Sequence, residues 1–511
     1  MMRRLLLILL TAFAMLAGSA FAQDVPGTPV DLQPPAAGSD LPDLGSPAEA
    51  MLSHTDEYRL GAMIARELRD QNALLEDPEA SEYIQSVGQR LASQSAMGGE
   101  FFHYLVVKDL SINSFAVSGG YVFIFTGLIL VSSTESELAA VMAHETAHIT
   151  QHHIARQIRN QSQQSLTTAA AILGAILLGA IGGGQAAEGG IAAATGLSAQ
   201  QQINFTRDNE AEADRVGMGY LAGAGYDPNA MANIFETMSR HEGLVETYIP
   251  AMLIDHPVTS DRLGEARARA AQFPPRKGKD SQSFLLIRER VRVLTATGDV
   301  NLAPTYEQKI ARGEDTLENR YGEALALLNS NHADEAVKIL TPLVQQHEGL
   351  TLLHAALGQA QAKAGHVDEA LATFRHALNL FPRNVPITVR YAETLMSNGK
   401  PAQAHEVLLD LFNIVPPTPD QIRLTALAAS AAGDAGDAYF YMGEYQIEGG
   451  DLNLAAQQLQ LALAAPHISQ IQRKRYQARL DEVREYLRSL RKNQLTDNND
   501  DHPSSGRRGG R

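Results

Sequence analysis

The sequence predicts an α+β domain, mostly helical, followed by an all-α solenoid of helical hairpins. Two patterns carry this prediction. Short runs of strand character, FFHYLVVKD, SFAV and YVFIFTG, lie among longer segments whose apolar residues recur at helical spacing. In the C-terminal third, Ala336, Ala370 and Ala404 stand 34 residues apart, and Pro416 follows Pro382 by the same 34, the period of a two-helix repeat. At 511 residues the chain has room for both.

Residues 1–22 read as a secretory signal peptide: Arg3 and Arg4, an apolar run from Leu5 to Leu16, then Ala20-Phe21-Ala22 as an A-x-A cleavage site. Gln23 to Ala50 is broken by prolines at 26, 29, 34, 35, 42 and 47 and reads as a disordered linker. A first domain is expected over residues 51–273. It opens with two amphipathic helices, RLGAMIARELRDQNALL and SEYIQSVGQRLASQ, then runs through the strands with a hairpin turn at Ser118-Gly119-Gly120. Thr134 and Glu137 have capping-box spacing and open the next helix. An Ala-, Gly- and Leu-rich insert, 166–198, interrupts the domain. It is short for a membrane span and reads as a lid, or as a peripheral membrane contact through 167–198.

Residues 274–315 are expected to connect, 316–490 to form the repeats, and 491–511 to be a disordered tail. GQAQAKAGHVDEALATFRHALNLFP carries Gly358, Gly365, Ala370, Phe374, Ala377 and Pro382 at tetratricopeptide positions, small where two helices of a unit cross. A further unit around Ala455, Leu459 and Ala462 falls 51 residues after Ala404, half a repeat out of register.

The formal charge of −16 excludes a general nucleic-acid binder, which needs a basic surface against phosphates. With no cysteine, the chain has neither disulfides nor an N-terminal cysteine for lipid anchoring. An exported bacterial protein of this kind fits the periplasm.

Chemistry concentrates in AAVMAHETAHITQHH, Ala139 to His153. Within it, His144-Glu145-Thr146-Ala147-His148 is H-E-x-x-H. Histidines at i and i+4 share a helical face and can reach one metal ion. Glu145 stands about 100° round the helix, near enough to take a proton from a bound water. Zinc suits such a site and lowers the pKa of a bound water towards about 7. The apolar run before the motif argues for a buried helix rather than a solvated histidine face, so a third ligand is needed.

A third histidine further along is excluded, because Gln151 and Ile154 stand where that extension needs Gly and His. The alternative lies in RDNEAEADRVG, where Glu210 and Asp214 share a face with Ala213, Gly217 and Met218, while Glu212 points away with Arg215 and Val216. Glu210 is then the third ligand and Asp214 the carboxylate that orients a ligating histidine. His152 lies on the ligand face one turn further along, too far to bind the same ion.

HETAH followed by N-E-x-E-A-D, with INSFAVSGGYVFIFTGLI before and DHPVTSDR (Asp255 to Arg262) after, resembles the gluzincin peptidases, which include the CAAX prenyl proteases and the HtpX-type membrane stress proteases. The layout of leader, peptidase and tetratricopeptide repeats is similar to periplasmic members concerned with outer-membrane β-barrel assembly. The resemblance implies a zincin-type metalloprotease fold, one Zn2+ per chain held by His144, His148 and Glu210, and Glu145 as general base. It implies that His256 approaches the zinc, as a resting fourth ligand or an oxyanion partner, and that Arg262 fixes this loop or contacts the oxyanion. His153 is read as structural. Asn113, Ser114, Phe115 and Ala116 correspond to an edge that pairs with substrate backbone. Implied partners are unfolded or misassembled outer-membrane proteins and the barrel-assembly machinery, met through the repeats. A periplasmic zinc metalloendopeptidase is the expected function. The alternative is a chaperone or adaptor in which the repeats carry the main role.

Overall fold

The computed structural model describes residues 54–97, 101–154, 156, 207–242, 256–274, 280–296 and 300–500. The expected leader, linker and insert 166–198 lie outside the described residues. Helices α1 (His54–Asp70) and α2 (Pro78–Ala92) form where the apolar spacing places them. Strands β1 (His103–Val107), β2 (Ser114–Val117) and β3 (Tyr121–Phe125) make a three-stranded sheet in the order β1-β3-β2, with β1 parallel and β2 antiparallel to β3. The hairpin turns at Gly119 and Gly120, whose φ of 88° and 85° suit glycine and few other residues. β3 is buried along its length because both sheet faces are covered. Tyr121, Phe123 and Phe125 pack with α1, while Val122 and Ile124 join the main core on the other side.

The two sheet edges differ. Outside β1, Leu75 donates its N–H to Val106 O, and the Gln85 and Gln89 side chains reach Phe102 O at 2.6 and 2.9 Å. Gln85 also accepts from Tyr104 N, so α2 closes that edge with side chains. β2 is the other edge among the described residues. Phe125 donates to Asn113 O at 3.2 Å, which fixes Asn113 and Phe115 as the hydrogen-bonded positions of the antiparallel pair. Ser114 and Ala116 therefore direct their backbone N–H and C=O groups away from β3.

After the short α3 (Thr126–Val131), α4 (Glu135–Thr150) runs through the centre of the domain, buried on all sides from Glu135 to Ile149. Thr134 caps it by accepting from Glu137 N, but Glu137 returns its bond to Ser133 N rather than to the cap residue. Helix α5 (Arg207–Gly223) crosses α4 closely at Gly217, where a Cβ would come to 3.0 Å of the Ala143 and His144 backbone. α6 (Asn229–Glu242) and α7 (Ser260–Ala270) complete this part.

Residues 274–315 do more than connect. They form α8 (Gln282–Leu294) and α9 (Ala303–Ala311), followed by the helical pairs α10 (Leu317–Asn329) with α11 (Ala333–Gln346) and α12 (Thr351–Lys363) with α13 (Val367–Leu380). Phe284, Ile287, Val291 and Tyr306 belong to one apolar core that runs from α2 through α12, so the N-terminal domain and the first repeats share a core. Further pairs are α14 (Val385–Ser397) with α15 (Pro401–Phe412), α16 (Pro419–Ala432) with α17 (Ala435–Glu448), and α18 (Leu452–Ala464) with α19 (Gln470–Asp500).

Ala336, Ala370 and Ala404 are fully buried in the second helix of their pairs, whereas Ala455 sits in a first helix. That is the half-repeat slip. Gly358 lies against the Phe374 ring, which leaves no space for a Cβ. The tail expected to be disordered from residue 491 is instead helical through Asp500, since no Gly or Pro interrupts Gln470 to Asp500 before Pro503.

Two groups of polar contacts join the repeats to the N-terminal helices. Asp77 caps α2 through Ala80 N and is gripped by Arg290 of α8 at 2.7 Å on each oxygen. Arg390 of α14 approaches Asp77 to 2.8 Å and Glu79 to 2.7 Å. Burial opposes ionisation of Asp77, yet the Arg290 and Arg390 charges outweigh it and hold the carboxyl well below its usual range. At the far end, Arg66 donates to Gly449 O at 3.0 Å and Arg59 lies over the Tyr486 ring at 4.6 Å.

Candidate metal centre

Where α4 and α5 cross, four ligand-type side chains converge: His144 and His148 from α4, Glu210 from α5, and His256 from the loop before α7. One ligand atom from each lies within 4.8 Å of all the others. His144 Nε2 is 3.0 Å from His148 Nε2 and 3.4 Å from His256 Nδ1, which is itself 2.8 Å from Glu210 Oε1. All four are buried. Burial, reinforced by neighbouring positive charge, holds His148 well below the usual histidine range and so neutral, the form that ligates. Three imidazoles and a carboxylate turning their lone pairs inward, away from water, fit a divalent cation.

The ligands are braced from behind. Asp214 Oδ1 lies 3.0 Å from His144 Nδ1, the nitrogen on the far side of the ring. Arg262 holds Asp214 at two points, 2.7 and 2.8 Å, reaches Glu210 Oε2 at 2.7 Å, and donates to Pro257 O at 2.9 Å. Burial disfavours the Asp214 carboxylate, but bonds to His144 and Arg262 outweigh this and bring its pKa to about 2. The contact with Pro257 O joins Arg262 to the loop that carries His256. Asp214→Asn, which keeps the shape and removes the charge, is expected to weaken metal binding by about 10–100-fold. Titration against a competing chelator measures this, and an unchanged affinity would remove Asp214 from the site.

His148 has its own brace. α4 ends at Thr150, and His152 turns the chain back with a left-handed φ of 52°, so His152 does not continue the ligand face as expected. The turn brings His153, fully buried, under His148 with Nδ1 2.8 Å from His148 Nδ1. On its other side His153 meets Glu212, which Arg156 also binds at 2.8 Å. Glu212 does point away from the ligand quartet, as its helical position requires, but it closes a relay of Glu212, His153 and His148.

Glu145 is fully buried beside the quartet. Its Oε1 accepts from Ser114 Oγ at 2.8 Å and lies 3.9 Å from His256 Nε2, while Oε2 has no hydrogen-bond partner among the described residues.

Residues 78–270 match peptidase family M48, and residues 361–430 match the tetratricopeptide repeat. Over 461 residues the chain is 32% identical to the beta-barrel assembly-enhancing protease of Yersinia pestis, covering 89% of this chain and 93% of that protein. The chain belongs to peptidase family M48. Similar relatives of the M48 chain include the beta-barrel assembly-enhancing protease of Escherichia coli (strain K12), 32% identical over 87% of this chain and 91% of that one. Mitochondrial metalloendopeptidase OMA1 of Schizosaccharomyces pombe is 30% identical over 35% of this chain and 50% of its own length. A solved tetratricopeptide repeat protein from Parabacteroides merdae overlaps loosely, with 13% identity and a TM-score of 0.28 over 58% of this chain and 100% of that one.

As a member of M48 the chain is a metallopeptidase, and the buried quartet could hold its metal. The structure brings together His144, Glu145, His148, Glu210, Asp214, His256 and Arg262 from three separate stretches of polypeptide, with Ser114 of a fourth at their margin. Asn113 is buried and turns its side chain to Ser114 N, and Phe115 stacks on Phe123 at 4.6 Å, so neither side chain faces the quartet. The sequence reading missed the Ser114 hydroxyl and the relay through Glu212 and His153. Only a strand register and the unmarked end of α4 reveal them.

Proposed function

We propose that this M48 metallopeptidase is a zinc metalloendopeptidase of the bacterial periplasm that degrades misassembled outer-membrane β-barrel proteins and docks them through its repeats. The observation that carries the peptidase chemistry is the buried quartet with the Glu145 carboxylate alongside, one of its oxygens without a hydrogen bond among the described residues. His144, His148 and Glu210 would hold the ion, and a His-and-carboxylate set suits zinc. When bound, the metal supplies Lewis acidity to the scissile carbonyl and to the attacking water. Glu145 takes the proton of that water at Oε2 and delivers it to the leaving amine. Asp214 and Arg262 keep His144 and Glu210 in place. The outward groups of Ser114 and Ala116 align the substrate backbone by strand addition, since β2 is the sheet edge not closed by α2 side chains.

His256 would be the fourth ligand at rest and would shield the ion from substrate; its Nδ1 lies 3.4 Å from His144 Nε2 and 2.8 Å from Glu210 Oε1. The client class follows the relatives, which are beta-barrel assembly-enhancing proteases. A cavity of about 910 Å3, lined by His148, Ile149 and His152 on one side and Val389, Val415 and Leu424 of the repeats on the other, supports docking near the site. The leader at residues 1–22 supports export, and no helix among the described residues is long and apolar enough to cross a membrane. The domain limits 51–273 and 316–490, and a peripheral membrane contact through 167–198, belong to the same proposal.

The test is incubation of metal-loaded protein with an outer-membrane β-barrel protein in unfolded and folded forms. The unfolded form is expected to be cut and the folded form spared. His256→Ala is expected to speed cleavage about tenfold, the equivalent of about 1.4 kcal/mol of shielding. A chain that cuts casein but leaves the unfolded barrel protein intact would exclude the client class. An unchanged rate in His256→Ala would exclude the shield.

A further inference from the structure

We propose that Ser114 is a positioning residue that ties the general base to the strand on which substrate docks. The inference rests on the reading of Glu145 as base and of β2 as the substrate edge. Ser114 is 1% exposed, and its hydroxyl donates to Glu145 Oε1 at 2.8 Å, the one hydrogen bond that carboxylate makes among the described residues. Of the two oxygens this leaves Oε2 to face the reaction. A carboxylate gripped at one oxygen keeps a single rotamer, and the proton must be taken at a defined point in space.

The same residue faces the incoming chain. The β2–β3 register puts Ser114 at a position whose backbone N–H and C=O point away from β3. Its N–H donates to Asn113 Oδ1 at 2.9 Å, which sets the peptide plane before substrate arrives, so pairing at this position runs through the Ser114 C=O. Ser114 lies opposite Ile124, which is fully buried in the main core, so the strand cannot slide without disturbing that core. A substrate strand that pairs with β2 therefore grips the residue whose side chain holds the base. Docking and alignment of the base become one event, and a chain lying out of register loads Ser114 wrongly. Tyr104 adds stiffness behind, with its hydroxyl 2.8 Å from Thr146 Oγ1 in the next position of α4.

The experiment compares wild type, Ser114→Ala, Ser114→Thr and Glu145→Gln as full-length mature, metal-loaded proteins, reading kcat, KM, metal content and unfolding temperature with a fluorogenic peptide. Ser114→Ala removes a hydrogen bond to a charged group and is expected to lower kcat by about 10–100-fold while KM moves by less than about threefold. Metal content should be unchanged, and Ser114→Thr, which restores the hydroxyl, should recover most of the rate. Full kcat in Ser114→Ala while Glu145→Gln has lost turnover would overturn the role of Ser114 alone. So would a loss that a folded, metal-loaded Ser114→Thr does not recover, or one that tracks lost metal or lost stability. Turnover retained in Glu145→Gln would instead overturn the reading of the base, and the inference with it.

Discussion

Glu145→Gln is expected to lower peptide cleavage by about 10²–10⁴-fold, the contribution of a positioned general base, with the metal still bound. Glutamine keeps the shape and can still accept from Ser114 through its amide oxygen, so the fold and the ligand quartet should survive. What disappears is the acceptor for the proton of water. Glu210→Gln should fail in the opposite way, losing both turnover and metal, because a neutral amide replaces the carboxylate among the ligands. The burial of Glu210 works against its charge, but His256, His144 and Arg262 outweigh it and hold the pKa below the usual range, so the wild-type group is anionic at neutral pH. Metal content and turnover of the two variants, measured side by side, separate base from ligand. Metal retained in Glu210→Gln would take that residue out of the ligand set.

Arg290→Ala is expected to cost about 3–5 kcal/mol of stability, because it takes the two-point partner from the buried Asp77 carboxylate, while Glu79 keeps Arg390 on both oxygens. Arg290 is itself buried, bonded to both oxygens of Asp77 and at 2.9 Å to Glu79. Arg390 remains, but it approaches from the repeats and cannot replace the two-point grip. The pH dependence follows from the sign of the Asp77 shift. Its carboxyl is held below the usual range in the folded chain, so its contribution is complete above about pH 4 and is lost as pH falls through the folded value. The gap between wild type and Arg290→Ala should therefore narrow in acid. Urea denaturation at neutral and acid pH measures both, and a shift below about 0.5 kcal/mol at neutral pH, the size of a surface substitution, would show that the cluster is not needed.

Much of the site was legible because its spacing is local. His144 with His148, and Glu210 with Asp214, are each four residues apart on a helix, and geometry alone puts each pair on one face. Ala213 and Gly217 beside Glu210 and Asp214 marked that face as one to be buried, and the repeat period located the solenoid. What escaped depends on long-range pairing or on an unmarked helix end. Ser114 meets Glu145 only because a particular register sets β2 beside α4. His153 reaches His148 because α4 stops at Thr150 with neither Gly nor Pro to announce it, and a histidine adopts the left-handed turn. The pairing of Asp77 with Arg390 spans 313 residues, beyond any pattern a window can read. The connecting segment was misjudged for a related reason. Its apolar residues look ordinary until α8 is seen to bury them against α2 and the first repeats.

Beyond the core that its first repeats share with α2, the solenoid touches the N-terminal helices at Arg390 near its middle and again where Arg66 reaches Gly449 near its end. Between these points the helices behave as an arch resting on two abutments rather than as a beam fixed at one. Repeat arrays commonly gain or lose whole units because each unit meets only its neighbours. Here the span is set by the distance between the abutments. One inserted unit would carry Gly449 away from Arg66, so this array has a fixed length.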